Sequence, residues 1–331
     1  MEGEEEWCHS MELPYFEPYR NPVKYIRLFK QLLDYAKGFD VIVCSGLAPM
    51  WFRWSSKPFI FLVYGSDLDE MAVKGWSGNP RQKFSIFMKM VHLLIKWHLV
   101  GSLRKAKVTV LAHYHRLLAK KIGLKRLHFL PQILDTDMFK PVEVPKHEGL
   151  ILFHPVRHSW VDHSIADCKG NDRLLRAFAR FSETYKARLI LVDKGWDVEA
   201  SKNLIKELGI TVEWITPMPK SELVKFYSSV DIVLDQFILG VLSLVPIEAM
   251  ACGVPVISYI KPSKEGFYAE ASPVVSAHSE DDIYKWLCVL AEDKELRDKI
   301  GKEGVEWVNK FCRPDASVPK YIELFSSITI D

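Results

Sequence analysis

The stretch from Gly240 to Tyr259, GVLSLVPIEAMACGVPVISY, limits what the chain can become more than any other. Pro246 fits the first turn of a helix, where a missing N–H removes no hydrogen bond, and Gly253 suits the left-handed residue that closes a helix before Pro255 forces extension. The stretch therefore predicts a loop, a helix of about two turns, a tight turn and a buried strand. The first amides of such a helix emerge from a loop holding Gly240 and Ser243, at the positive end of the helix dipole. That is a place for an anion such as a diphosphate. Glu248 falls on the same first turn. Its carboxylate can cap or complement its own helix, or accept hydrogen bonds from the hydroxyls of a sugar, and spacing alone leaves both open.

The rest of the second half repeats this alternation. Short apolar runs predict strands at Leu150 to His154, Arg188 to Val192, Thr211 to Ile215, Asp231 to Leu234, Val254 to Tyr259 and Pro273 to Val275. Helical patterns lie around Asn171 to Tyr185, Val198 to Leu208, Lys220 to Ser228, Pro246 to Cys252 and Glu280 to Ala291, with a tail helix over Pro319 to Ser326. Strand and helix in alternation give an α/β fold with a parallel sheet covered on both faces. The first half is read in the same way: a helix from Pro22 to Gly38, strands at Val41 to Cys44, Phe59 to Val63, Val108 to Ala112 and Leu127 to Leu130, and a helix around His115 to Ile122. At 331 residues the chain suits two domains. Pro141 and Pro145 mark a linker, which divides it into 1–144 and 145–331, with a terminal helix expected to pack back on the first domain.

Composition excludes several classes. A net charge of +2 offers no bulk attraction to nucleic acid. The six cysteines are scattered without a C-x-x-C pair, so neither a zinc site nor a disulfide framework is indicated. His154, His158 and His163 match no standard metal spacing, and no cofactor or metal is expected. An acidic N-terminus, MEGEEEW, is unlike a secretory signal, and a cytoplasmic location is expected. Lys83 to Lys107 is a helical stretch that is apolar on most sides yet carries several cations and histidines. It reads as a core helix, or as a helix lying against the cytoplasmic face of a membrane.

Chemistry-bearing residues gather at expected strand ends. Arg157 follows the first strand of the second half, and Lys169 with Gly170 opens the next helix; a planar guanidinium and a mobile ammonium together can neutralise a phosphate pair. Tyr64, Gly65, Ser66 and Asp67 follow a strand of the first half and form a second candidate loop.

The run DIVLDQFILGVLSLVPIEAMACGVPVI resembles the signature of the large family of retaining, nucleotide-sugar-dependent glycosyltransferases with the GT-B fold. KPFIFLVYGSDL, PQILDTDMF and Arg157 with Lys169-Gly170 are similar to further parts of that pattern, so the resemblance runs from about residue 40 to about 310. It implies two Rossmann-like domains facing across a cleft, with no obligatory metal. The donor would be a UDP- or GDP-sugar and the acceptor an unidentified glycan, lipid or small molecule. Glu248 would hold the donor ribose, the backbone of Ser243, Leu244 and Val245 the phosphates, and Met218 would lie near the base. Arg157 and Lys169 would stabilise the departing diphosphate, and Tyr64 to Asp67 would face the acceptor. The chain departs from the pattern in three ways. Gly240 stands where relatives carry a Glu, Tyr64 stands where they carry a His, and the opening strand and glycine-rich loop have no counterpart, which predicts a shortened first domain. A non-catalytic nucleotide-sugar-binding subunit is the alternative these departures raise.

Overall fold

The computed structural model describes residues 22–63, 85–111, 115–145, 147–162, 168–261 and 270–329, with Leu68, Ala72 and Tyr268. Two compact units divide it, one of Met1–His128 with Phe325–Asp331 and the other of Phe129–Leu324. The proline-marked segment 141–145 lies within the second.

In the first unit, α1 (Pro22–Ala36) precedes β1 (Ile42–Cys44), a 3-10 turn (Ala48–Phe52) and β2 (Phe59–Leu62). After these come α2 (Ile86–Leu103), β3 (Val108–Val110), α3 (Arg116–Lys121) and β4 (Leu127–His128). The four strands form a parallel sheet in sequential order. Leu32 and Ala36 of α1 pack with Cys44, Trp51, Phe52 and Phe59 in its core.

The second unit contains β5 (Leu150–His154), α4 (Asn171–Ser182), β6 (Ala187–Val192), α5 (Val198–Leu208), β7 (Glu213–Ile215), α6 (Lys220–Ser228) and β8 (Ile232–Leu234). It continues through α7 (Leu244–Ala251), β9 (Val256–Ser258), β10 (Val275–Ser276), α8 (Glu280–Glu292), α9 (Lys294–Phe311) and the start of α10 (Pro314–Thr329), whose residues from Phe325 onward belong to the first unit. Its six parallel strands run β10-β9-β8-β5-β6-β7. Alternate side chains sort cleanly to the two faces. Ile151, Phe153, Ile190, Val192, Val233 and Val256 enter one core, and Leu152, Leu189, Leu191, Ile232, Leu234 and Ile257 the other. Each fully buried Leu, Ile or Phe in these layers contributes about 2–3 kcal/mol.

Two expectations need correction. A further helix, α9, lies where none was expected, and the tail helix begins at Pro314 and carries Pro319 within it. The sequence of α9 includes Gly301 and Gly304, which penalise a helix in isolation. Here they allow contact: a Cβ on Gly301 would lie 2.1 Å from the Gly253 carbonyl oxygen, and one on Gly304 would lie 3.1 Å from the Met250 Cβ. The glycines thus bring α9 against α7 and the turn that ends it.

Candidate functional site

Strand order places the site. Reading outward from β5, the chain moves to β6 and β7 on one side, and to β8, β9 and β10 on the other. The order reverses between β5 and β8, and a crevice opens beyond the carboxyl ends of two such strands, where open α/β sheets bind ligands. The loop after β5 carries Arg157 and Lys169, and the loop after β8 carries Gly240 and Ser243.

The loop after β5 is fixed from beneath. His154 is fully buried; its Nδ1 lies 2.8 Å from the Leu234 carbonyl and its Nε2 2.8 Å from Asn171 Nδ2. A neutral imidazole donating at Nδ1 and accepting at Nε2 satisfies both, and burial accordingly lowers its pKa to about 4. Asn171 Nδ2 also donates to the Arg157 carbonyl (3.2 Å), and its Oδ1 accepts from the Ser159 amide (3.1 Å). His158 is buried as well, with Nδ1 2.8 Å from Ser201 Oγ and a pKa lowered to about 3, chiefly by burial and then by His154. Both histidines therefore act as internal struts. His163 lies outside the described residues.

Lys169 is stitched to both loops through its backbone. Its amide donates to the Ser159 carbonyl (2.7 Å), and its carbonyl accepts from the Phe237 amide (2.8 Å). Gly170 follows with φ +72°, and a Cβ there would come within 3.0 Å of Ile238 Cγ1. Arg157 is exposed and Lys169 half-buried.

After β8 come two buried polar residues. Gln236 Oε1 accepts from the amides of Ile238, Leu239 and Gly240 (3.1, 2.6 and 3.4 Å), while Nε2 donates to the carbonyls of Val241 and Tyr259. One side chain thus shapes the whole loop. Asp235 Oδ2 accepts from Ser243 Oγ and Ser258 Oγ, each at 3.0 Å. Burial raises the Asp235 pKa, and the positive charge of Lys169 opposes the rise.

Ser243 is the N-cap of α7, and a serine there ordinarily accepts from an amide of the first turn. Here its hydroxyl is turned to Asp235, no side chain caps the helix, and the leading amides of Leu244 and Val245 are left to other partners. Pro246 removes a third donor at no cost. At the far end, Gly253 (φ +79°) donates to the Met250 carbonyl (2.9 Å) and Val254 to that of Ala249 (3.1 Å), a Schellman closure.

Glu248 is 5% exposed. Lys220 Nζ lies 3.4 Å from its Oε1, and the Tyr227 hydroxyl donates to its Oε2 at 3.4 Å. Burial raises its pKa, and Lys220 pulls against the rise. Met218 is half-buried, two residues before Lys220 on the segment leaving β7. Gly240 has φ +71°, and a Cβ there would meet Lys261 Cβ at 2.9 Å and Tyr259 Cε1 at 3.0 Å, so the position has no room for the larger side chain.

Tyr64, Gly65, Ser66 and Asp67 lie outside the described residues. Among the described residues, no cluster of three or more His, Cys, Asp and Glu is placed to hold a metal. Asp235, Gln236, Asn171, Lys220 and Tyr227 were not among the residues expected from sequence. The signal for the first two was a polar Asp-Gln pair at the end of a buried strand, where a ligand edge lies.

Residues 163–307 match the model for glycosyl transferases group 1. The matched segment lies within the second unit and spans less than half of the chain. Among curated relatives, the chain is 28% identical over 161 residues to a D-inositol 3-phosphate glycosyltransferase of Kribbella flavida, covering 44% of this chain and 38% of the relative. It is 29% identical over 193 residues to an enzyme of the same name from Corynebacterium aurimucosum, covering 54% of this chain and 46% of the relative. The match to an MMP alpha-(1->4)-mannosyltransferase of Mycolicibacterium hassiacum is 29% over 191 residues, with 55% and 44% covered. The chain thus spans less than half the length of these relatives. Solved structures share the fold. Sucrose-phosphate synthase of Thermosynechococcus elongatus superposes with a TM-score of 0.69 at 17% identity, over 96% of this chain and 80% of that one. HepE of Anabaena, in complex with UDP, gives 0.67 at 16% identity over 91% and 82%. The chain has the α/β GT-B fold of these structures.

Proposed function

We propose that this protein is a group 1 glycosyltransferase that binds a UDP- or GDP-sugar in the crevice between β5 and β8 and transfers the sugar, with retention, to a glycan, lipid or small-molecule acceptor. The observation that carries the reading is the diversion of the Ser243 hydroxyl to Asp235, which leaves the dipole end of α7 uncapped beside the Arg157 and Lys169 loop. A diphosphate would accept from the Leu244 and Val245 amides and pair with the two cations. Glu248, held by Tyr227 and Lys220, then takes the donor ribose hydroxyls, and Met218 lies near the base. As the bond from sugar to diphosphate breaks, negative charge grows on the leaving oxygen, and Arg157 and Lys169 oppose it in place of a metal. The curated relatives are named as glycosyltransferases acting on inositol phosphate or transferring mannose, and structures of HepE hold UDP or UDP-glucose; these support a nucleotide-sugar donor.

The second reading is a subunit that binds the donor without turning it over. Gly240 favours it, since its crowded, left-handed backbone excludes a carboxylate at that place. Turnover separates the two. The purified chain is incubated with UDP- and GDP-sugars and mixed glycan and lipid acceptors, and release of nucleoside diphosphate is followed together with the anomeric configuration of the product by NMR. Transfer with retained configuration supports the enzyme; donor binding with no release under any acceptor supports the binding subunit; inverted product refutes the mechanism.

A further inference from the structure

Helix α2 in the first unit presents two different faces. Val91, Ile95, Leu99 and Leu103 are buried, and the helix packs on the 3-10 turn of Ala48–Phe52. On the opposite side, Ile86, Phe87, Met90, Leu93, Leu94 and Trp97 are 55% to 79% exposed. At about 100° per residue these six span an arc of about 120°, a continuous apolar stripe along three turns. Monomer surfaces scatter single apolar side chains; a stripe of six large ones marks a binding face.

The end of the stripe is aromatic and cationic. The Arg53 guanidinium sits over the Trp97 ring, 4.3 Å from its centroid, and 5.6 Å from that of Trp54, which is itself 61% exposed. Trp54 packs against His98 at 4.8 Å, and Arg53 donates to the His98 carbonyl. Gly101 makes this possible, because a Cβ there would come within 2.6 Å of the guanidinium. Paired tryptophans with an arginine between them, beside an apolar stripe, match the chemistry of a bilayer interface: indoles at headgroup depth and cations at the phosphates.

Charge chooses the occupant. From Met71 to Leu134 the chain has thirteen Lys and Arg and no Asp or Glu, although its overall net charge is only +2, so the remaining residues carry a net −11. Lys89 and Lys96 lie together along one border of the stripe, and Lys105 is exposed just past its end. No helix of the described residues is long and apolar enough to cross a membrane. An exposed apolar stripe bordered by lysines, within an acid-free stretch of sequence, is the pattern of a helix that lies in the interface of an anionic membrane. We infer that α2, with Trp54 and Arg53, docks the protein on an anionic lipid surface, the apolar stripe entering the headgroup boundary and Lys89 and Lys96 pairing with lipid phosphates.

The test is sedimentation of the full chain with phosphatidylcholine vesicles, alone or with about 30 mol% phosphatidylserine, at about 0.1 M and about 1 M salt. The expected result is binding to the anionic vesicles that falls steeply with salt. Each lysine removed should weaken it about five-fold, so Lys89→Gln with Lys96→Gln lowers affinity about 25-fold. Leu94→Ser with Trp97→Ser should abolish retention on either vesicle while leaving the circular dichroism spectrum intact, since both side chains are exposed. Equal sedimentation of wild type and both variants, or no binding to anionic vesicles, overturns the inference. So does a concentration-dependent dimer in analytical ultracentrifugation that the Leu94→Ser, Trp97→Ser variant abolishes, in a protein that ignores vesicles. Donor binding by the second unit is measured separately, so failure here leaves the proposed reaction standing.

Discussion

Replacing Glu248 with Gln keeps the shape of the side chain and removes its charge, and the surroundings predict two effects of opposite sign. In the free protein, burial holds the Glu248 pKa above the ordinary carboxylate range. A carboxyl with a raised folded-state pKa adds stability below its unfolded value and loses that contribution as pH rises through the folded value, so ionised Glu248 is a liability at pH 7.5. Its compensating partners are modest: a single tyrosine hydroxyl at 3.4 Å and Lys220, whose side chain is 64% exposed. Glu248→Gln should therefore leave the free protein unchanged or up to about 1 kcal/mol more stable, because the partner it leaves behind, Lys220, stays in solvent and keeps its hydration. For a unit of this size that is a rise in Tm of about 2–4 °C. In the complex the sign reverses. A charge-assisted hydrogen bond to a ribose hydroxyl is worth about 1.5–3 kcal/mol, so nucleoside diphosphate affinity should fall about 10- to 150-fold. Thermal unfolding at pH 7.5 without ligand and calorimetric titration with UDP and GDP read the two effects. A Tm lowered by several degrees would contradict the desolvation reasoning, and unchanged affinity would remove Glu248 from the donor site.

Three further outcomes follow from the same geometry. Arg157→Ala, on an exposed side chain, should leave urea stability within about 0.5 kcal/mol and weaken nucleoside diphosphate binding about 10-fold or more, and equal affinity would refute its role. Gly240→Ala should destabilise by about 1–3 kcal/mol, from left-handed backbone strain and the close Tyr259 and Lys261 atoms; an unchanged urea midpoint would contradict the loop conformation. His154 and His158, with pKa values lowered to about 4 and about 3, should stay neutral in NMR spectra down to pH 5. Their stabilising contribution is complete above about 6.5 and declines as pH falls toward the folded values, and titration of either ring near 6.5 would sink the strut assignment.

Much of the second unit was legible because buried parallel strands read as unbroken apolar runs. Leu150–His154 was bounded correctly, as were the helices Val198–Leu208 and Lys220–Ser228, where polarity, periodicity and flanking residues agreed. The α9 helix was illegible for a tertiary reason. Gly301 and Gly304 look like breakers in sequence, and only the approach of Gly253 and Met250 shows why they are there. At the candidate site, the short helix α7 and its two ends could be read from Pro246, Ser243 and Gly253. The polar pair Asp235-Gln236 was visible, but the part Asp235 plays was not, because it depends on the direction of one serine hydroxyl, and a sequence does not specify rotamers. The Lys83 to Lys107 stretch looked apolar on most sides, and only burial separated the core face from the exposed one.

The most direct test of the donor site is a calorimetric titration of the full chain with UDP- and GDP-linked sugars, set beside Lys169→Ala. Lys169 sits where backbone bonds join the two loops, and its charge acts on Asp235 of the other loop, so removing the ammonium reports on the crevice between β5 and β8 and not on one loop alone. The expected result is saturable binding of a sugar nucleotide of one base, weakened about 10-fold or more by the substitution. Absence of binding for every donor, or binding that Lys169→Ala leaves untouched, would contradict a nucleotide-sugar site at this edge of the sheet.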